Sequence, residues 1–308
     1  MDILEKALEK SEQVEQVEQA SEAEPVEVGL EQALDKFEQV DDIREAEEKV
    51  ANAEFKPDRK QSGASEKRLV NIDWHKLAKE GYLSQELDLP VLVDEYRTIK
   101  RPILYNAFGR GAEGIERANL ILVTSSLPGE GKTFNAVNLA LSIANERDKK
   151  VLLIDADVAK PSIAKRFGIP ESPGLIEYLE NDELDFSDVS LKTDLPGLQI
   201  IPAGKRHAFS TELLSSNKMV GLIDELSQRY ADRIVIFDSP PLLAATQAEV
   251  LASLVGQVIF VIAAETTKQS AVQSAVKKLD GSDVVLAVLN KATQGFNVDY
   301  YGYGAYGH

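Results

Sequence analysis

Three short runs in this 308-residue chain place glycine, lysine, hydroxyl and carboxylate groups at spacings suited to holding a polyphosphate. The first is SLPGEGKT, Ser126–Thr133, which follows the apolar run NLILVTSS and leads into FNAVNLALSIANE. Gly129 and Gly131 let backbone N–H groups turn inward onto phosphate oxygens, and a helix starting there adds the partial positive charge of its N-terminus. Lys132 would reach the β- and γ-phosphates, and Thr133 would offer its hydroxyl to Mg²⁺, so the expected ligands are ATP and Mg²⁺. The segment expected to line the nucleotide comprises Ser126, Pro128, Gly129, Glu130, Gly131, Lys132, Thr133 and Phe134. The order strand, glycine loop, helix argues against a chance surface turn.

The second run, VLLIDADVAKPS, ends an apolar stretch in Asp155 and Asp157. Two residues apart on an extended chain, these acids share one face and can both be presented to one metal-nucleotide. The third, IVIFDSPPLL, ends in Asp238, where a carboxylate can hold the Mg²⁺ shell directly or through water. A strand-terminal Asp taken singly is as often a helix cap. Three beside a glycine loop supply the charge compensation that phosphoryl transfer needs, with Lys132, Asp155, Asp157 and Asp238 as the catalytic set. Thr133, Asp157 and Asp238 are the expected metal-shell residues. Asp155 is read as the proton acceptor or, alternatively, as a metal ligand.

Six β-rich apolar runs position these groups: 120–125, 151–155, 198–202, 234–238, 258–263 and 284–289. They alternate with helical patterns, so the expected fold is α/β, a doubly wound and mainly parallel sheet covered on both faces by helices. Ligands in such sheets sit beyond the carboxyl ends of the strands, where all three motifs fall.

Composition bounds the rest. There are no cysteines and three histidines, which removes disulfides and thiolate chemistry and points any metal to oxygen ligands. The net charge of −17 argues against a nucleic-acid partner. It is concentrated in residues 1–50, with 17 acidic against 5 basic side chains. Residues 1–65, containing EQVEQVEQA, read as an acidic low-complexity arm, disordered or partly helical, because it buries too little apolar surface to fold. Residues 66–118 read as a helical extension, 119–290 as the nucleotide-binding domain, and 291–308 (ending DYYGYGAYGH) as a mobile tail rich in tyrosine and glycine. No run is long and apolar enough for a membrane span, and the first ten residues lack a leader pattern, so the expected location is cytoplasmic.

PGEGKT, IDADVAKPS and FDSPP resemble the Walker A, A′ and B boxes of the bacterial tyrosine kinases of exopolysaccharide and capsule synthesis, P-loop proteins related to partition and division ATPases. The resemblance covers about residues 66–308, and the flanking VNIDWHKLAKEGYL and YYGYGAYG look closest to kinases of exosortase (XrtA)-linked clusters. It implies a tyrosine autokinase whose phosphoacceptors are Tyr300, Tyr301, Tyr303 and Tyr306, modified by neighbouring subunits. It also implies an adenine contact at Asn290 and a subunit ring packed through Asp94, Arg97 and Lys100. Spacing alone fits a solvated helix face with i, i+3 ion pairs equally well. The implied partners are a membrane polysaccharide co-polymerase, which would hold the chain at the inner membrane, and an opposing tyrosine phosphatase. Lys160 stands near where the family often shows Arg, without that residue's bidentate fork. The rival readings are a partition-type ATPase switch and a non-catalytic adaptor. Partition-type proteins usually carry Lys at the position held here by Leu127.

Overall fold

The computed structural model describes residues 69–170, 172–205 and 210–292. The chain divides into two units, Met1–Ser62 and Gly63–His308, and every described residue belongs to the second. The expectations for the acidic arm and for Tyr300, Tyr301, Tyr303 and Tyr306 therefore lie outside the described residues.

The chain runs β1 (Leu69–Val70), α1 (Trp74–Lys79), α2 (Pro90–Phe108), β2 (Leu120–Ser125), α3 (Lys132–Ala144), β3 (Lys150–Asp155) and α4 (Ile163–Phe167). There follow α5 (Leu175–Glu180), α6 (Phe186–Val189), β4 (Leu191–Thr193), β5 (Leu198–Ile201), α7 (Ser210–Leu214) and α8 (Asn217–Arg229). The last elements are β6 (Arg233–Asp238), α9 (Thr246–Ala252), β7 (Gln257–Ala263), α10 (Gln269–Val276) and β8 (Val284–Asn290). One eight-stranded sheet has the spatial order β1-β4-β5-β3-β6-β2-β7-β8, parallel except where β4 meets β5.

Central strands β2, β3 and β6 are apolar on both faces because helices cover both. On one face Ile121, Val123, Leu153 and Ile236 pack with α1, α2 and α3; on the other Leu122, Ile154, Phe237 and Phe260 pack beneath α5, α8 and α9. The six expected strands are all present, shifted by at most a residue at their ends. β8 departs from the expected two-sided burial: it is the sheet's edge, and Val285 (40% exposed) and Leu289 (61%) face outward. An apolar run reads alike in a central and an edge strand, because composition does not reveal what lies beside it.

The segment 69–118 joins this core. β1 lengthens the sheet, and Leu77, Tyr82, Tyr96 and Ile103 are buried with the α3 face. Asp73 caps α1, its side chain accepting from Lys76 N at 2.9 Å, and Pro90 occupies the first turn of α2 where its missing N–H costs nothing. Among the described residues no helix is long and apolar enough to cross a membrane.

Candidate functional site

β2, β6 and β3 are neighbours in the sheet, so the ends of the strands that carry the three motifs meet at one place. Asp155 and Asp238 are register partners at the ends of β3 and β6, and Ala156 N donates to Asp238 O at 2.8 Å. The loop 126–131 leaves β2 next door and turns into α3.

The loop's shape follows from its two glycines and from what grips it. Gly129 and Gly131 have φ of 86° and 103°, left-handed values that favour glycine. A Cβ on Gly131 would lie 2.0 Å from Asn290 Nδ2, so the approach of β8's end also demands a bare residue. Three successive carbonyls are held from outside. Lys291 Nζ donates to Gly129 O at 2.7 Å, Asn290 Nδ2 to Glu130 O at 2.8 Å, and Asn135 donates to Gly131 O through its backbone N and its Nδ2, each at 3.0 Å. Because a trans peptide points its C=O and N–H in opposite directions, these holds turn the N–H groups of Glu130, Gly131 and Lys132 away from the gripping side chains.

Glu130 serves this framework. Its Oε2 accepts from Leu127 N at 2.7 Å and its Oε1 from Thr267 Oγ1, so its side chain is spent within the protein and only its backbone can face a ligand. The place expected for Glu130 along the nucleotide is thus open to its backbone N–H, while its carboxylate braces the loop. Phe134 packs against Tyr82 with ring centroids 5.0 Å apart and planes tilted by 41°, and borders a groove of about 960 Å³ with Val91, Leu92, Asn135, Leu289 and Asn290, beside the loop. Pro128 lies on the exposed turn of the loop and Ser126 at its buried root.

Charge is arranged unequally among the acids. Lys132 Nζ is 2.7 Å from Asp157 Oδ2, a largely buried ion pair, and Asp157 Oδ1 accepts from Lys160 N at 3.1 Å. Asp155 Oδ2 accepts from the backbone N of Ser162 and Ile163, both at 2.9 Å, which fixes the carboxylate at the start of α4. Its Oδ1, both carboxylate oxygens of Asp238, and Ser126 Oγ are buried without a hydrogen-bond partner. Burial pushes the proton affinity of Asp238 up, Lys132 opposes that, and the charge of Asp155 reinforces it. Asp155 is also raised by burial, against the pull of the Ile163 and Ser162 N–H groups. Buried oxygens left unpaired cost free energy, and clusters of them mark places built for something polar. Among the described residues no three acids or histidines converge closely enough to hold a metal unaided.

Lys100 departs from its expected place beside Asp94 and Arg97. Those two form an exposed i, i+3 pair at 2.7 Å, whereas Lys100 is 8% exposed and donates to Ser142 O at 2.8 Å while pairing with Glu146, also at 2.8 Å. Three-residue steps on an α-helix fall short of a full turn by about 60°, so Lys100 lies about 120° round from Asp94. Sequence reading also missed Tyr96, Asn135, Thr267 and Lys291. Asn135 and Asn138, polar and three apart on an otherwise apolar helix, were the available signal for the first two.

A family described as an AAA domain matches residues 118–282, more than half of the chain. The tyrosine-protein kinase CpsD of Streptococcus agalactiae is 32% identical over 211 residues, covering 66% of this chain and 88% of that protein. The tyrosine-protein kinase ptk of Acinetobacter johnsonii is 39% identical over 140 residues, which cover 46% of this chain but 19% of that longer protein. The crystal structure of the VpsO kinase domain superposes with a TM-score of 0.57 at 34% identity, covering 66% of this chain and 97% of that one. The chain thus belongs to the P-loop AAA-domain family, within its bacterial tyrosine-protein kinases.

Proposed function

We propose that this chain is an ATP-dependent tyrosine autokinase that transfers the γ-phosphoryl group to Tyr300, Tyr301, Tyr303 and Tyr306 of a neighbouring copy. The observation that carries the reading is the unpaired carboxylate of Asp238 in register with Asp155, one strand from the lysine of the glycine loop. The residues present fit Mg²⁺: the buried carboxylate of Asp238 and the Thr133 hydroxyl that bears on it, too far off for a well-formed hydrogen bond, suit an ion that takes few protein ligands and fills its octahedron with phosphate and water. Both oxygens of Asp157 are engaged, so Asp238 would hold the ion and Asp157 would act through Lys132 or through water. Bound there, Mg²⁺ would draw negative charge from the β- and γ-phosphate oxygens.

The chain's own groups do the remainder. Lys132 leaves Asp157 to meet the γ-phosphate, and the inward N–H groups of Glu130, Gly131 and Lys132 take the bridging and β oxygens. The base lies towards Phe134 and Asn290, in the groove beside the loop. The acceptor's phenolic oxygen forms the new P–O bond in line as the bond to the β–γ bridging oxygen breaks, and ADP carries that electron pair away. The phenol's proton passes to Asp155 Oδ1, whose raised proton affinity suits a group that must take a proton near neutrality. Lys160 would supply the charge of the family's arginine at one donor instead of two.

In line with the resemblance, and with a Klebsiella pneumoniae relative named as a tyrosine-protein kinase in the cps region, the chain works as a ring docked through a membrane polysaccharide co-polymerase at the inner membrane, with a tyrosine phosphatase resetting it. Incubation of purified protein with labelled ATP and Mg²⁺, followed by mass spectrometry, tests the reading. Phosphotyrosine within residues 300–306 is expected, and its absence from Lys132→Ala and Asp155→Ala. ATP hydrolysis by the wild type without phosphotyrosine would make the chain an ATPase switch instead.

A further inference from the structure

The glycine loop is gripped on three sides, and one grip originates on α2, which the phosphoryl chemistry does not touch. Tyr96 on α2 is 3% exposed and donates its hydroxyl to Asn135 Oδ1 at 3.0 Å. Asn135, 5% exposed in the first turn of α3, in turn donates Nδ2 to Gly131 O at 3.0 Å. An asparagine amide that accepts through its oxygen is held in the orientation that aims its NH₂ at the loop. Held there, the NH₂ adds to the backbone N–H of Asn135 a second hold on Gly131 O, at 3.0 Å, and so narrows the setting of the Gly131–Lys132 peptide plane that aims the N–H of Lys132 into the cradle. Phenylalanine would fill the same space, so the buried hydroxyl contributes this hydrogen bond and not bulk. The amide of Asn138 lies one turn along α3 beside the same hydroxyl, and its Nδ2 has no hydrogen-bond partner of its own.

We infer that Tyr96 is a positioning residue: through Asn135 it sets the peptide plane at the last glycine of the phosphate loop, so that α2 governs how tightly this chain holds nucleotide. Asp94 and Arg97, exposed on the same turn of α2 as Tyr96, give whatever bears on that helix a lever on the plane two hydrogen bonds away. The inference rests on the proposed reading of the loop as a nucleotide site.

Binding of a fluorescent ATP analogue with Mg²⁺ to the whole chain tests it, alongside KM and kcat for autophosphorylation. Tyr96→Phe is expected to weaken binding and raise KM roughly 3–10-fold, the loss expected for one neutral hydrogen bond, while kcat at saturating ATP stays within about twofold. Asn135→Ala should weaken binding at least as much, and the double variant should be no weaker than Asn135→Ala alone, because both remove the same hold. Thermal melts without nucleotide separate this from general loosening: melting loss alone, with affinity unchanged, overturns the inference. So does wild-type affinity in Tyr96→Phe, or multiplication of the two effects in the double variant. A wild-type chain that binds no nucleotide would instead overturn the reading of the loop, and this inference with it.

Discussion

Asp238 ends a strand buried from Ile234 onward, with both carboxylate oxygens unpaired, and Asp155 beside it has one oxygen in the same condition. Both have proton affinities raised by burial, so the folded chain binds protons more tightly than the unfolded chain, whose carboxyls titrate near pH 4. Their contribution to stability is therefore greatest below that value and is lost as pH rises through the raised values towards neutrality. Between about pH 5 and about pH 8 the protein without nucleotide is expected to lose stability. Asp238→Asn should flatten that slope, stabilise the fold by roughly 1–3 kcal/mol at the upper end, and abolish Mg²⁺-dependent nucleotide binding. Urea melts at the two pH values check the sign, and an Asp238→Asn protein less stable than wild type at pH 8 would contradict it. The acids' identities were legible in the sequence because each ends an apolar run. The division of labour among them was not, since it depends on which oxygen meets Lys132, Ser162 or Ile163 across a folded sheet.

The loop and the helices that grip it behave as elements with separable tolerances. Gly129 and Gly131 both need a left-handed backbone, but only Gly131 has a neighbour where a methyl group would stand. Gly129→Ala is expected to cost about 1 kcal/mol in backbone strain. Gly131→Ala must in addition displace Asn290 from Glu130 O, and should lower nucleotide affinity by at least tenfold in the same titration. On α2, Lys100→Met removes a buried ammonium that ties Ser142 O to the partly exposed Glu146, and should destabilise the fold by about 1 kcal/mol. Asp94→Ala and Arg97→Ala, on the exposed face, should each change monomer stability by no more than about 0.5 kcal/mol. The triad written into the sequence as one surface motif thus divides into one internal tie and two surface residues, which spacing alone could not separate. The strands show the same limit: the six long apolar runs were readable, while β4, three residues in SLKTDLPG, carries no periodicity and exists because β5 and β1 lie beside it.

For the whole molecule, the proposed cycle joins chemistry to assembly. Phosphorylation of four tyrosines would add about −6 to −8 charges at neutral pH to a chain already at −17. An assembly of such chains is expected to shift towards smaller species on incubation with ATP and Mg²⁺, more so at low salt than at high, as sedimentation velocity would register. Lys132→Ala protein should show no such shift. The sheet was legible because six apolar runs alternate with helical patterns, and the family because three motifs resemble its phosphate-binding boxes. What joins 69–118 to that sheet was not, because Tyr96, Leu77 and Ile103 declare themselves only once α3 provides their partners.

The three carbonyls of Gly129, Glu130 and Gly131 are tethered by side chains rooted in the end of β8 and in α3. Such a scaffold settles the orientation of the anion-facing amides during folding. Capture of a polyphosphate then demands little further ordering of the chain, so association should proceed in a single kinetic phase, and the loss caused by cutting any tether should appear mainly as faster dissociation.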